Sequence, residues 1–481
     1  MLFNSFEFAL FFPVVTIIFF MLPHKFRWLL LLLASCFFYM FFKPVYIFIL
    51  IFTIIIDYYA AIWIDKQDNK SKRKLFLICS LCANIGVLAL FKYYNFFAVN
   101  INDIIQAAGK GYRLDLLNIL LPIGLSFHTF QAMSYTIEVY KRRQKPEKHF
   151  GIYALYVMFY PQLVAGPIER PQNILPQFHE KKFFNINNLQ SGLRLILWGL
   201  FKKTVIADRL AIAVDNVYNL PYNDWSGFSV LIATVFFALQ IYCDFSGYSD
   251  IAIGTARCMG FNLMANFKQP YFSKSISEFW TRWHISLSTW FKDYLYIPLG
   301  GNRVSRHRVY FNLFLVFLIS GVWHGANWTF VLWGALHGSF LVGALLFQSL
   351  FPNLKLPTII NTCITFLLVC LAWVYFRANN ISEANHLFAQ IFYFDSNYFL
   401  LSKADLHGLP PLYLGLPFWK FCITATIVPC FLLLDFLIYT NKKNSFYRFP
   451  TPIRWGVYYG LIICILFFGV FSTNQFIYFQ F

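Results

Sequence analysis

Charge is what this chain has least of. Only 12% of its 481 residues are Asp, Glu, Lys or Arg, where soluble domains carry about 25%. With a mean hydropathy of +0.56, that excludes an ordinary soluble globular domain. Acids are the scarcer sign, 21 against 39 Lys and Arg, so the formal net charge is +18. A basic balance of that size suits nucleic acid, yet the cations sit in short loops between apolar runs and form no continuous basic stripe, so no nucleic-acid partner is expected. No alternation of polar and apolar residues suggests a membrane barrel. Neither a repeat of about 20–50 residues nor a Gly/Ser-rich linker divides the chain, which reads as one membrane domain over 1–481. No P-loop or G-x-G-x-x-G is present, and no H-x-x-x-H ligand spacing, so no metal and no bound cofactor are expected. The serine-hydrolase elbow G-x-S-x-G is also missing. The first seven residues hold Glu7 and no basic residue, so a cleavable signal is not expected. Cys79 and Cys82 have C-x-x-C spacing without a second pair, which favours packing over redox or metal chemistry.

What the chain does have is apolar length. Runs near the ~20 residues that cross hydrocarbon fall at 8–22, 26–42, 44–64, 75–97, 116–137, 151–165, 190–207, 227–243, 309–331, 332–350, 358–376, 418–440 and 453–472. Several are short or interrupted, and roughly 11–13 spans are expected in an all-α polytopic integral membrane protein. Basic residues concentrate in 65–74, 141–148, 303–308 and 442–448, which therefore read as cytoplasmic. The segments 98–115 and 377–417 read as exterior, as do both termini. In 161–308 the apolar runs shorten and Pro161, Gly166, Pro167, Pro171 and Pro176 interrupt the helix pattern. Irregular backbone at membrane depth is tolerated only inside protein or against a watery cavity, so a site is sought there and just beyond, over 161–338.

Within "SGVWHGANWTFVLWGALHG" (320–338), His324 lies in a stretch, Val309 to Trp333, without acid, lysine or arginine. An ionisable group in such a stretch marks a site by default. A buried imidazole is expected in its neutral form, able to act as general base for a hydroxyl. Gly321 and Gly325 beside it either let a substrate reach the ring or let helices pack closely. Asn327 and His337 are possible orienting partners. Upstream, Phe279, Trp283, Trp290, Tyr294 and Ile297 recur at three- and four-residue steps with Arg282, Lys292 and Asp293 between them. The pattern predicts one interfacial amphipathic helix from about Ser277 to Tyr296, with His284 and Ser288 within reach on one face. "PLGGNR" (298–303) is a turn leading into Arg303, Arg306, His307 and Arg308, either a positive-inside loop or a seat for the phosphates of an acyl-CoA. Asp57 and Asp435 read as paired structural acids. Asp244 and Asp250, flanking Ser246 and Gly247, suit structure or a site equally.

These stretches resemble the membrane-bound O-acyltransferase family, above all its bacterial branch that acetylates alginate and peptidoglycan. "RWHISLSTWFKDYLYIPLGGNR" and "SGVWHGANWTFVLWGALHG" carry the resemblance, which runs from "FNSFEFALFFPVV" near the start to "FIYFQF" at the end. It implies a helical bundle with re-entrant and interfacial helices around a narrow tunnel. His324 would be catalytic and His284 its earlier partner, with Ser288, Asp244, Asn327 and Arg303 as candidate contacts for substrate or donor. The donor would be acetyl-CoA or another acyl thioester arriving from the cytoplasm, and the acceptor a hydroxyl on the other side. An esterase-like transferase outside the membrane would complete delivery to a polysaccharide such as alginate or peptidoglycan. The expected seat is the bacterial cytoplasmic membrane. Phe476, Tyr478 and Phe481 are spaced F-x-Y-x-x-F in the tail 473–481, similar to the C-terminal motif of the small partner in teichoic-acid D-alanylation. By that resemblance Tyr478 would relay the acyl group; otherwise it is an aromatic-belt residue. D-alanyl transfer to teichoic acid is the alternative within the family. A transporter or flippase is the alternative outside it, and would show paired inverted repeats, which are not seen.

Overall fold

The computed structural model describes every residue except 165, 220–224, 355, 395–412, 441–449, 472–475 and 478–481. Tyr478 and Phe481 thus lie outside the described residues, which are helical and contain no strand. They gather into two compact units, residues 1–196 with 249–265, and 197–248 with 266–481.

The first unit opens with α1 (Phe6–Met21), capped by Ser5 Oγ, which accepts the Phe8 amide. Next come α2 (His24–Met40), α3 (Ile47–Lys66) and α4 (Lys70–Leu88), the last capped by Asn69. A π-turn at Ala89–Tyr93 continues α4 into α5 (Tyr94–Ala107). Asp57 of α3 accepts hydrogen bonds from Ser80 Oγ (2.6 Å) and Asn84 Nδ2 (2.9 Å) of α4. The structural reading of Asp57 therefore holds, with neutral polar partners in place of a cation. Cys79 and Cys82, read from the sequence as packing residues, are free thiols on the exposed side of α4.

Two expected spans of this unit take another form. Of 116–137, only the second part is helical, in α6 (Leu125–Tyr140). The chain before it is extended because two asparagines of α5, seven residues apart and so on one face, satisfy its backbone. Asn102 exchanges two bonds with Leu114, and Asn95 two with Leu117. The run 151–165 becomes α7 (Phe150–Met158) and α8 (Tyr160–Leu163), broken at Phe159. The break is stable at depth because its polar groups find protein partners. Gln162 donates to Tyr156 O, and Ser35 Oγ accepts the Tyr160 amide. After α9 (Pro171–His179) comes α10 (Ile186–Leu200).

The second unit takes in a π-helical segment, Phe201–Ala207, leading into α11 (Asp208–Asn219) and the 32-residue α12 (Gly227–Cys258), of which the part from Ser249 on belongs to the first unit. The single amphipathic helix expected over 277–296 is two short ones, α13 (Ile276–Arg282) and α14 (Ile285–Phe291), followed by a π-turn. His284 makes the corner, with φ +43°. A side chain that caps a helix from outside the pattern overrides periodicity here. Asn266 Oδ1 accepts both the Ser286 amide and the Ser286 hydroxyl. The unit continues with α15 (Arg306–His324), α16 (Trp328–Leu350), α17 (Thr358–Arg377), α18 (Ile381–Phe392), α19 (Phe418–Thr440) and α20 (Thr451–Phe468). Asp435 of α19 accepts from Tyr242 Oη of α12, a structural role as expected.

Among the described residues, seven helices are long and apolar enough to cross a membrane: Pro44–Lys66, Lys70–Ala107, α12, α16, α17, α19 and α20. The remaining expected spans are shorter or broken helices, apart from α15, which has 19 residues but starts with Arg306 and Arg308. The chain is a multi-pass membrane protein, and its interrupted segments are where polar residues gather.

Candidate active site

α15 delivers His324 as its final residue, and the expected span 309–331 ends there because the chain reverses at once. Gly325 is extended, and Asn327 Oδ1 caps α16 by accepting the Thr329 amide. The two glycines beside His324 answer to packing. A Cβ on Gly321 would lie 2.3 Å from Phe330 O, and one on Gly325 2.1 Å from the Phe330 ring. On α16, Gly334 faces Gly321 in the same way, its Cβ position 3.0 Å from Gly321 Cα. These contacts let α15 and α16 press backbone to backbone and hold His324 against α16. Gly321→Ala is accordingly expected to destabilise the protein by about 1–3 kcal/mol through overpacking. Thermal unfolding in detergent measures this, and a mutant as stable as the parent would show that the helices can part.

The His324 ring is 4% exposed. It meets Trp323 edge-on at 4.9 Å, Trp333 at 4.9 Å and Phe376 at 5.6 Å. His284 is fully buried, its ring 6.4 Å from that of Trp323 and 4.6 Å from that of Phe245. Its Nδ1 is 3.1 Å from Asn266 Oδ1. That oxygen already accepts a backbone amide, so His284 Nδ1 carries the hydrogen and Nε2 is the accepting nitrogen. A left-handed backbone at a non-glycine residue costs energy and persists where the surroundings over-determine it, as at functional sites.

The other expected site residues are placed differently. His337 accepts a bond from Trp280 Nε1 at 3.3 Å, and Trp333 packs between it and His324. Asn327 caps α16 and donates to Asn379 O, so its side chain is committed to the helix start. Ser288 Oγ donates to Trp283 O, and the Ser288 amide donates to the His284 carbonyl. Arg303 is exposed, one turn before α15, after two glycines with φ +107° and +53°. Asp244 of α12 pairs with Lys203 at 2.7 Å, and Lys203 also meets Asp208 at 2.8 Å, all three deeply buried. Asp244 Oδ2 further accepts the amide of Ile477. Beside this, Phe476 packs on Tyr248 at 4.8 Å and on Phe245 at 5.5 Å. Phe245 is the ring that also touches His284.

Asn266 and the pair Lys202–Lys203 were not singled out by the sequence pattern. Asn266 gives no local signal, since its role depends on Ser286, twenty residues later in the first turn of α14. The lysines could have been found, because two adjacent cations inside the apolar run 190–207 need partners. Lys202 donates to Ser246 Oγ at 2.8 Å.

Residues 75–382 match the model of the membrane-bound O-acyltransferase family. The "Probable alginate O-acetylase AlgI" of Pseudomonas aeruginosa is 40% identical over 85% of this chain and 78% of its own length. The "Peptidoglycan O-acetyltransferase" of Helicobacter pylori is 34% identical over 94% of this chain and 91% of its own. The "Teichoic acid D-alanyltransferase" of Bacillus subtilis is 27% identical over 54% and 69%.

Proposed function

Because the chain belongs to the membrane-bound O-acyltransferase family, we propose that this enzyme moves an acetyl group from a cytoplasmic thioester across the membrane towards hydroxyls of an extracytoplasmic polysaccharide. That it is a membrane O-acyltransferase follows from membership; acyl group, donor and acceptor are the proposal. One observation carries it: the rings of His284 and His324 both lie against Trp323 in a buried aromatic nest, and Phe476 packs on Phe245, which touches His284. A dry site strengthens each polar interaction inside it and keeps water from the thioester.

In this reading Tyr478, one residue past the docked Ile477, is the nucleophile. Its Oη attacks the thioester carbonyl while His324 takes the phenolic proton. The new C–O bond forms, the C–S bond breaks, and the proton passes from His324 to the departing thiolate. The tyrosyl ester is then handed to an esterase-like transferase outside the membrane, which acylates the polysaccharide. His284, with Nδ1–H directed to Asn266, presents an acceptor nitrogen, which suits holding an N–H of the donor better than donating to an oxyanion. The exposed cations Arg303, Arg306 and Arg308 suit the phosphates of coenzyme A. Acetyl is favoured over D-alanyl because the relatives named for acetylation match most of the chain, and the D-alanyltransferase about half.

The seat is the bacterial cytoplasmic membrane, with loops 65–74, 141–148, 303–308 and 442–448 inside and both termini outside. Vesicles test donor and topology together. Sealed everted vesicles supplied with labelled acetyl-CoA are expected to acylate the protein, and sealed right-side-out vesicles are not. On intact cells, an impermeant thiol reagent is expected to label Asp103→Cys and spare Lys70→Cys. Acylation from the outer face, or labelling at position 70, would overturn the orientation.

A further inference from the structure

We infer that Asn266 is a positioning residue for acyl transfer: it sets the tautomer and the direction of His284, and the segment 266–268 is the splint that holds the corner 282–286 in shape. The catalytic consequence rests on the reading of His284 as a contact for the acyl donor, while the tautomer stands on geometry alone. All of these residues belong to the second unit. Two backbone bonds join the splint to the corner. Lys268 N donates to Arg282 O at 3.0 Å, and Ile285 N donates to Asn266 O at 2.9 Å. Arg282 Nη1 adds a bond to Lys268 O at 3.3 Å. Trp283 and His284 lie between these ties, His284 with φ +43°.

A left-handed backbone at histidine persists only with support from its surroundings. Asn266 Oδ1 gives that support at a single point. It accepts the Ser286 amide at 3.2 Å, the Ser286 hydroxyl at 2.9 Å and His284 Nδ1–H at 3.1 Å. A helix cap accounts for the two Ser286 bonds. It does not account for the third, which goes to the imidazole. The Ser286 amide can only donate, so the Asn266 atom shared with the ring is an acceptor and the ring nitrogen carries the hydrogen. The bond at one imidazole nitrogen decides the state of the other, and in the neutral ring Nε2 keeps its lone pair. Phe267 braces the same corner. Its ring meets Trp283 at 5.1 Å and Phe245 at 5.0 Å, both edge-on, and lies 6.5 Å from His284 in a stacked orientation. Phe245 in turn meets His284 edge-on at 4.6 Å. The imidazole is thereby held in rotation as well as in protonation.

Nitrogen NMR on the full-length protein in detergent, with isotopically labelled histidine, reads the tautomer. The His284 signals are assigned by their loss in His284→Gln. The parent is expected to carry its hydrogen on Nδ1 and none on Nε2. Asn266→Leu, of similar volume but without an acceptor, is expected to show a mixed or Nε2-protonated ring. An Nε2–H ring in the parent would overturn the inference without recourse to any Asn266 variant, and so would a parent-like ring in Asn266→Leu. Turnover with labelled acetyl-CoA separates positioning from capping. A displacement of about 1 Å at a contacting group can cost ~10²-fold in rate, so kcat/KM is expected to fall roughly 10–100-fold in Asn266→Leu. Ser286→Ala loses one bond to the same oxygen but leaves that of His284, and is expected to stay within about threefold of the parent. Equal losses in the two variants would reduce Asn266 to a helix cap and overturn the positioning role. A parent that turns over no acetyl-CoA, its His284 still protonated at Nδ1, would instead overturn the donor reading under Proposed function.

Discussion

Membranes carrying His324→Ala are expected to lose acyl transfer by ~10²–10⁴, the usual contribution of a positioned general base, while protein level and thermal stability stay close to the parent. The small stability cost follows from the surroundings. The ring touches Trp323, Trp333 and Phe376 edge-on and ends its helix, so removing it opens a cavity without breaking a helix interior. His324→Gln, which restores volume and a polar end but is not a base near neutral pH, should be as inactive as the alanine variant. Transfer is read as labelled acetyl appearing on the protein or on the polysaccharide at matched expression. Near-parental transfer in either variant would remove His324 from the chemistry and leave it a packing residue.

The second large effect is expected at Tyr478. Tyr478→Phe keeps the ring and removes only the hydroxyl, so acylated polysaccharide should fall below detection while the fold is unaffected. A phenol has a reference pKa near ~10 and is a poor nucleophile unless a base takes its proton. The proposed relay therefore requires it to reach a general base. Ile477 is held on Asp244, and Phe476 is packed on the same Phe245 that touches His284. The acylated parent should also yield a tryptic C-terminal peptide heavier by one acetyl group, labile to mild base, and absent from Tyr478→Phe. Normal polysaccharide acylation in that variant would return Tyr478 to the aromatic belt and require His324 to serve another acceptor.

Much of this was legible in the linear sequence, for a physical reason. Hydrocarbon imposes length and apolarity on each crossing segment, so the membrane class and the long helices α12, α16, α17 and α19 are written locally. The isolation of His324 in an apolar run is equally local, as are the motifs that resemble the acyltransferase family. The breaks were not local. Periodicity predicts one helix through 277–296, and Asn266 splits it at His284 by capping the second half from outside the pattern. The run 116–137 is apolar enough to span, and asparagines on α5 hold its first part extended.

Charge partners were the least legible of all. Lys203, Asp208 and Asp244 are up to forty-one positions apart, and their meeting depends on a π-bulge and on Gly247, neither visible as a pattern. The tail's docking on Asp244 spans 233 positions. Hydrophobic periodicity and helix length are properties of neighbouring residues, which the chain states one segment at a time. A buried charge is stable only with a partner, and which partner reaches it depends on how whole helices pack. The sequence therefore determined the solvent and the helical class, and singled out His324 and His284 as candidates. Only the tertiary structure decided where the helices break, what orients His284, and which acids pair with Lys203.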